Sequence, residues 1–269
     1  MLLLIKYATG VVMMISDMQM LVSKKIKEIE ARENVEVMMA IESGSRAWDF
    51  ASPDSDYDIR FIYVRSATDY LKLEAQRDVI EWQLDETLDI SGWDLQKALK
   101  LLYRSNPTLF EWASSPIVYY QSPNFEQFKA ILPQYFSKKK SLYHYWHMAN
   151  TNQREFLNVE LAQVKIKKYF YVLRAILASQ WILEEETNPP MRFAELVAAK
   201  LPQELQPAVA KLLAQKVDVP ELKRVARVPE LDEYIASHIS QMEQQAQTMN
   251  ELQQNAWEPL DTLFMSLIK

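Results

Sequence analysis

Cysteine is absent from this 269-residue chain, which excludes disulfides, thiolate zinc sites and cysteine nucleophiles. The absence fits a reducing compartment, and the expected location is the cytoplasm. Histidine occurs only three times, too rarely for a histidine-rich metal centre. Glycine also occurs three times, as Gly10, Gly44 and Gly92, so backbone that only glycine tolerates is confined to few places. No apolar run is long enough to cross a bilayer, and no membrane partner is expected. The opening stretch MLLLIKYATGVVMMISDMQM is interrupted by Lys6 and has no clear small-residue cleavage site. Excess positive charge is missing too: the formal charge of −6 argues against general coating of nucleic acid and leaves room only for a local basic groove.

What is present is the composition of a folded globular chain, 49% hydrophobic and 11% aromatic, with enough length for one large domain or two modest ones. Met13, Met14, Met18 and Met20 crowd the start of the first convincing helix, residues 20–32, with Leu21, Ile26 and Ile29 available for a core face. Residues 1–19 read as a dispensable leader. Residues 35–41 read as a buried strand and 56–64 as a second, with Tyr57, Ile59, Phe61 and Tyr63 on one face and Asp56, Asp58 and Arg60 on the other. Residues 79–84 and 87–91 read as strands joined by an Asp85-Glu86 turn. Ser91-Gly92-Trp93-Asp94 then reads as a helix start. Leu95, Ala98, Leu99 and Leu102 follow at helical spacing, and 117–120 read as a last strand. From about residue 123 the periodicity is helical (125–136, 140–158, 161–185, 193–200, 205–215, 231–254 and 259–267), punctuated by proline linkers at Pro189-Pro190, Pro202, Pro220 and Pro229. The expected class is α+β: a mixed-sheet domain over 20–122 followed by a helical domain over 123–269.

The chemistry concentrates in Gly44-Ser45-Arg46-Ala47-Trp48-Asp49 and the following Ser55-Asp56-Tyr57-Asp58. A Gly-Ser turn after a buried strand bares backbone N–H groups that cradle phosphate oxygens. Two carboxylates at i and i+2 of the next strand converge on one face. Alone, such a pair is most often a solvated strand end. Facing a phosphate cradle, it is what metal-dependent nucleotidyl transfer needs. A third carboxylate would complete a site for two ions roughly 4 Å apart. Asp89, flanked by Leu88 and Ile90, is the choice. Asp94 competes but is explained by helix capping, and Asp85 and Glu86 by a turn.

Gly-Ser, a short spacer and Ser-Asp-x-Asp together resemble the signature of the polymerase-β-like nucleotidyltransferase superfamily. GSRAW followed by SPDSDYDIRFIYV resembles the branch associated with bacterial RNA repair, as do LDISGWDLQKAL, SNPTLFEWASSPIVY, KIKKYFYVLRAILASQWI and Pro189-Pro190-Met191. The resemblance covers roughly residues 20–192; the last third matches less distinctly. It implies a mixed sheet carrying three acidic residues, with a helical domain closing a nucleotide cleft. Gly44 and Ser45, with Arg46 and Ser55 of the same motif, would bind the nucleotide. Asp56 and Asp58 would bind divalent metal, Mg²⁺ or Mn²⁺, and Asp89 would be the third carboxylate. The reaction implied is attack of an acceptor hydroxyl on the α-phosphorus of a nucleoside triphosphate with release of pyrophosphate. The acceptor is left open among an RNA end, a protein hydroxyl and a small molecule. The superfamily usually has a second glycine where this chain has Asp49, which keeps open a non-catalytic nucleotide or RNA sensor on the same fold.

Other features have two readings. Lys138, Lys139, Lys140, Lys165, Lys167, Lys168 and Arg174 cluster early in the helical half. Lys167, Tyr171 and Arg174 share a helix face. They form either a basic wall over the cleft, with Lys168 beside them, or a solvated face with stems packed on aromatics. Tyr169, Phe170 and Tyr171 read as core and cleft lining. His144 and His147, at i and i+3, read as packed histidines. Ser45 lacks a His/Asp partner motif, which excludes a serine hydrolase.

Overall fold

The computed structural model describes residues 2–84, 87–158, 160–217, 223–250 and 255–268, with side chains from residue 17 onward other than those of residues 84 and 217. The expected Asp85-Glu86 turn, the Pro220 linker and the end of the 231–254 helix lie outside the described residues.

Helix α1 (Leu2–Glu33) leads into β1 (Glu36–Glu42), the one-turn helix α2 (Gly44–Ala47), β2 (Tyr57–Val64) and the short α3 (Ala67–Tyr70). Next come β3 (Val79–Leu84), β4 (Leu88–Asp94), α4 (Leu95–Tyr103), α5 (Pro107–Ala113) and β5 (Val118–Gln121). The rest is α6 (Pro123–Ile131), α7 (Lys138–Phe156), β6 (Gln163–Lys165), α8 (Ile166–Glu185), α9 (Phe193–Lys200), α10 (Gln206–Val217), β7 (Arg224–Ala226), α11 (Pro229–Thr248) and α12 (Glu258–Leu267). The class is α+β, as expected, with a five-stranded mixed sheet in the order β3-β4-β2-β1-β5. Neighbouring strands are antiparallel except β2 and β4, which run parallel.

The alternation of β2 decides how the sheet is covered. Ile59, Phe61 and Tyr63 join Val22, Ile26 and Ile29 of α1 in one core. Ile62 and Val64 point the other way, onto Leu95, Ala98, Leu99 and Leu102 of α4 and onto α5, α6 and α12. Asp58 and Arg60 occupy the same face as Ile62, at the start of the strand, where Gly44 of α2 lies against Asp58. Helix α1 extends well beyond residue 20, and its buried row is Val22, Ile26 and Ile29, whereas Leu21 is exposed. The i, i+4, i+7 spacing of that row is the better helical stripe.

Three local readings change. Ser91, Gly92 and Trp93 remain in β4 instead of opening a helix. The reason is packing: a Cβ on Gly92 would lie 2.2 Å from Cε2 of Phe61, so the glycine makes room for a core ring on the neighbouring strand. Residues 163–165 form a strand that pairs with β7 in a separate two-stranded sheet. Three residues are too few to show a period of two in sequence. The last helix does not stay with the helical half: Leu260, Leu263 and Leu267 pack under the five-stranded sheet. A third core gathers α7, α8, α9, α10 and α11 around Trp48 and Phe50.

Candidate active site

The site is built where β1 ends beside the start of β2. Ser43 N–H donates to the Asp58 carbonyl at 2.8 Å, and Asp58 N–H donates to Oε1 of Glu42 at 2.8 Å. Gly44 follows with φ +59, and a Cβ there would meet Oδ2 of Asp58 at 2.0 Å. Glycine is therefore required twice over, for its left-handed backbone and for the approach of the carboxylate. The Gly-Ser turn is the first turn of α2, whose leading N–H groups have no partner within the helix.

Arg46 ties the aspartate loop to this turn. Its Nη2 donates to the Ser55 carbonyl at 2.6 Å and its Nε to the Asp56 carbonyl at 3.1 Å, while the guanidinium lies 3.7 Å from the centroid of the Tyr57 ring. Ser55 is buried and its Oγ accepts from Ser52 N–H at 3.0 Å, so it shapes the loop. Ser45 is buried as well, and Asp56 is exposed immediately before β2. Asp49 adopts φ 67 and is exposed, the conformation for which a glycine would be favoured.

Asp58 and Asp89 are direct neighbours in the parallel β2–β4 register. Between them sits Arg60, whose Nη2 donates to Oδ2 of Asp89 at 2.6 Å and to Oδ1 of Asp58 at 3.1 Å. Strand alternation predicts the Asp58–Arg60 contact; the addition of Asp89 is a product of strand order. Asp94 caps α4, its Oδ1 accepting Gln96 N–H at 2.7 Å and its Oδ2 the Tyr70 hydroxyl at 3.0 Å. Burial raises its pKa above the usual carboxylate range.

The donors Asp56 and Asp58 are hard oxygens of the kind Mg²⁺ and Mn²⁺ prefer, and the space left by Gly44 accommodates the Asp58 carboxylate against the Gly-Ser turn. The site thus fits one such ion. Among the described residues, however, no three acidic or histidine side chains are placed to share a metal. The expected triad of Asp56, Asp58 and Asp89 is interrupted by Arg60.

Helix α8 lies behind α2 and forms no open basic wall. Tyr171 meets Trp48 edge-on at 5.2 Å. Lys168 donates to Oδ1 of Asn152 at 2.9 Å and covers the Phe156 ring at 3.6 Å. Lys167 is half-buried. Arg174 is only 1% exposed. Its Nη1 donates to Oε1 of Glu111 at 2.9 Å and its guanidinium lies 4.4 Å from the Trp48 ring centroid. The helical stripe holding Arg174 faces the protein interior, where its charge is paired with Glu111 and its guanidinium meets Trp48, the residue that ends α2. His144 is packed beside Tyr145, and burial lowers its pKa; His147 is exposed against Trp146.

Two residues at the site escape sequence reasoning. Lys216 of α10 is buried, with Nζ donating to the Phe50 carbonyl and to Oγ of Ser52 at 3.0 Å. Nothing in the surface-like sequence of α10 marks it. Glu42 is fully buried, and Tyr119 donates its hydroxyl to Oε2 at 2.6 Å. Its only signal is position, last in an apolar strand and just before the Gly-Ser turn. Both line a cavity of about 740 Å³ on the Tyr57 face of β2, together with Arg46, Asp49 and Tyr119. Asp58 and Asp89 are not among the residues that line that cavity.

Burial pushes the Glu42 carboxyl up from 4.5 to about 7, against the opposing pull of the Tyr119 hydroxyl and Asp58 N–H. A carboxyl whose pKa rises on folding contributes stability below its unfolded pKa and loses it as pH rises through the folded one. Stability should therefore fall between pH 4.5 and about 7. Glu42→Gln, neutral throughout, should flatten the decline by about 2–3 kcal/mol. Denaturant titrations of both proteins across that range check this; parallel pH profiles would show that Glu42 is not the group responsible.

The model of RlaP, the RNA repair pathway DNA polymerase beta family, matches residues 18–266. A relative from Bacillus subtilis (strain 168), called "Uncharacterized protein YcgL", is 41% identical over 247 residues, which is 91% of this chain and 94% of that protein. The solved structure of a nucleotidyltransferase-like protein from Exiguobacterium sibiricum 255-15 aligns over 86% of this chain and 75% of its own, with TM-score 0.31 and 13% identity. The match at the level of the family model takes in the Gly-Ser turn, both strand aspartates, Asp89 and all of α8, and on that ground the chain belongs to the RNA repair pathway DNA polymerase beta family of polymerase-β-like nucleotidyltransferases.

Proposed function

We infer that the protein transfers a nucleoside monophosphate from a nucleoside triphosphate to an acceptor hydroxyl, with an RNA end as the acceptor that the family description favours. The observation that carries this reading is the fit of Gly44 against Asp58, which sets a helix-initiating turn beside a strand-borne carboxylate. In this reading the N–H groups opening α2 and the Ser45 hydroxyl hold triphosphate oxygens. Asp56 and Asp58 hold a divalent ion, Mg²⁺ or Mn²⁺, which would neutralise charge at the attacked phosphate. Arg46 keeps the aspartate loop seated on the turn. The acceptor oxygen bonds to the α-phosphorus, the bond to the β-phosphate oxygen breaks and pyrophosphate leaves. Residues 20–122 would supply the chemistry, and α7 to α11 the helical cover. The test is incubation with each α-phosphate-labelled triphosphate, Mg²⁺ or Mn²⁺, and RNA, protein or small-molecule acceptors. Label should pass to an acceptor. Binding without transfer in every combination would favour the sensor.

Asp49 separates the two readings. Asp49→Gly relieves a left-handed residue, worth up to about 1 kcal/mol, and removes a negative charge near the phosphate path. Triphosphate should bind several-fold tighter, and the gain should shrink at high salt if charge dominates. An enzyme gains turnover as well; a sensor gains binding alone. Unchanged binding, measured by calorimetry at low and high salt, would place the Asp49 carboxylate outside the phosphate path.

A further inference from the structure

We propose that Arg60 is a resident cation of the site, so that Asp56 and Asp58 hold a single divalent ion and Asp89 positions Arg60 instead of binding metal. The proposal rests on the metal-dependent reading given above and specifies how the charge of that site is arranged.

Arg60 is held by more than the carboxylates. Its Nη2 bonds to Asp89 Oδ2 and Asp58 Oδ1, and its Nη1 donates to the Asp89 carbonyl at 2.8 Å and the Ile59 carbonyl at 3.1 Å. The two backbone acceptors belong to adjacent strands of the sheet, so neutralising a carboxylate does not release the guanidinium. Its side chain is 18% exposed, against 31% for Asp58 and 34% for Asp89, so it is seated deeper than its partners. A planar guanidinium with fixed donors suits this task better than a flexible ammonium.

The position has a direct consequence. An ion shared by Asp58 and Asp89 would have to lie between their carboxylates, and that space is filled by Nη2. A second divalent ion there would face a fixed positive charge at contact distance. The guanidinium already offsets one of the three negative charges, and one divalent ion balances the other two. The arrangement also divides the work of Asp58: Oδ1 is turned toward Arg60, while Oδ2 lies against Gly44, on the side of the phosphate turn. Both the carboxylate and the carbonyl of Asp89 accept from Arg60. Asp89 is thus a positioning residue, acting through Arg60.

The test counts Mn²⁺ bound per full-length chain, without nucleotide, from the loss of the free-ion electron paramagnetic resonance signal. The wild type should bind one Mn²⁺. Asp58→Asn should abolish that binding. Asp89→Asn should retain one Mn²⁺, weakened by no more than about tenfold, as expected for a residue that only orients a ligand. Arg60→Met should admit a second Mn²⁺ between the vacated carboxylates, and Arg60→Lys should return the count to one. Thermal melts establish that each variant is folded. Two ions in the wild type, with one lost in Asp89→Asn, would overturn the proposal and leave the metal-dependent function standing. A single ion in folded Arg60→Met would also overturn it. No Mn²⁺ bound by the wild type would overturn the metal-dependent reading itself, and the proposal with it.

Discussion

Replacing Asp58 by alanine should abolish nucleotidyl transfer, a loss of at least about 10³-fold, since metal-assisted stabilisation of a phosphoryl transition state is worth several kcal/mol. The fold should survive. Removing one of two adjacent carboxylates would raise stability if their repulsion were uncompensated, but Arg60 already bridges Asp58 and Asp89. Asp58→Ala takes one acceptor from Arg60 and leaves the Asp89 carboxylate and two backbone carbonyls. The net change in stability should stay within about 1 kcal/mol. Transfer of an α-phosphate label and a denaturant titration check the two halves separately. Full transfer by the folded variant would remove Asp58 from the mechanism.

The largest effect on stability should come from Glu111→Ala. Glu111 is the shared acceptor of a buried cluster: Arg174 Nη1 donates to its Oε1 at 2.9 Å and the Tyr145 hydroxyl to the same oxygen at 2.8 Å. Side-chain exposure is 1% for Arg174 and 7% for Glu111, so water cannot replace the lost partner. Removing one member of a desolvated pair typically costs about 3–5 kcal/mol. For a chain of this size that lowers the melting temperature by on the order of 10 °C. The double variant Glu111→Leu/Arg174→Met should recover most of the loss, because an apolar pair leaves no charge stranded. Triphosphate binding should weaken along with stability in Glu111→Ala, since Arg174 stacks on Trp48 at the end of α2. A loss below about 1 kcal/mol in thermal and denaturant unfolding, the range of exposed pairs, would show that the pair is hydrated.

The contrast between Arg174 and Arg60 explains what local pattern carries. Both are cations on a face that the sequence predicts. Spacing along α8 puts Arg174 in line with Lys167 and Tyr171, and that alignment holds for any helix. It says nothing of which side faces Glu111, a residue of α5. Arg60 was correctly placed beside Asp58, because residues two apart on a strand must share a face. Its bond to Asp89 depends on β2 and β4 being neighbours in register, which is a property of the sheet.

By itself the sequence determined the fold class, most of the helices, the alternation of β2, the capping role of Asp94 and the meeting of a lone glycine turn with the Asp56–Asp58 strand. Each is a short-range matter: the period of apolar residues, the offset of a cap, or the intolerance of side chains at positive φ acts over a few residues. Tertiary structure alone decided that Glu42 and Lys216 are buried, that Arg174 turns inward, that β6 finds β7, that α12 returns to the first sheet and that a guanidinium sits between Asp58 and Asp89. Those outcomes rest on desolvation and on charge pairing between segments far apart in the chain. A charged residue reads the same in sequence whether its partner is water or a carboxylate brought to it by the fold.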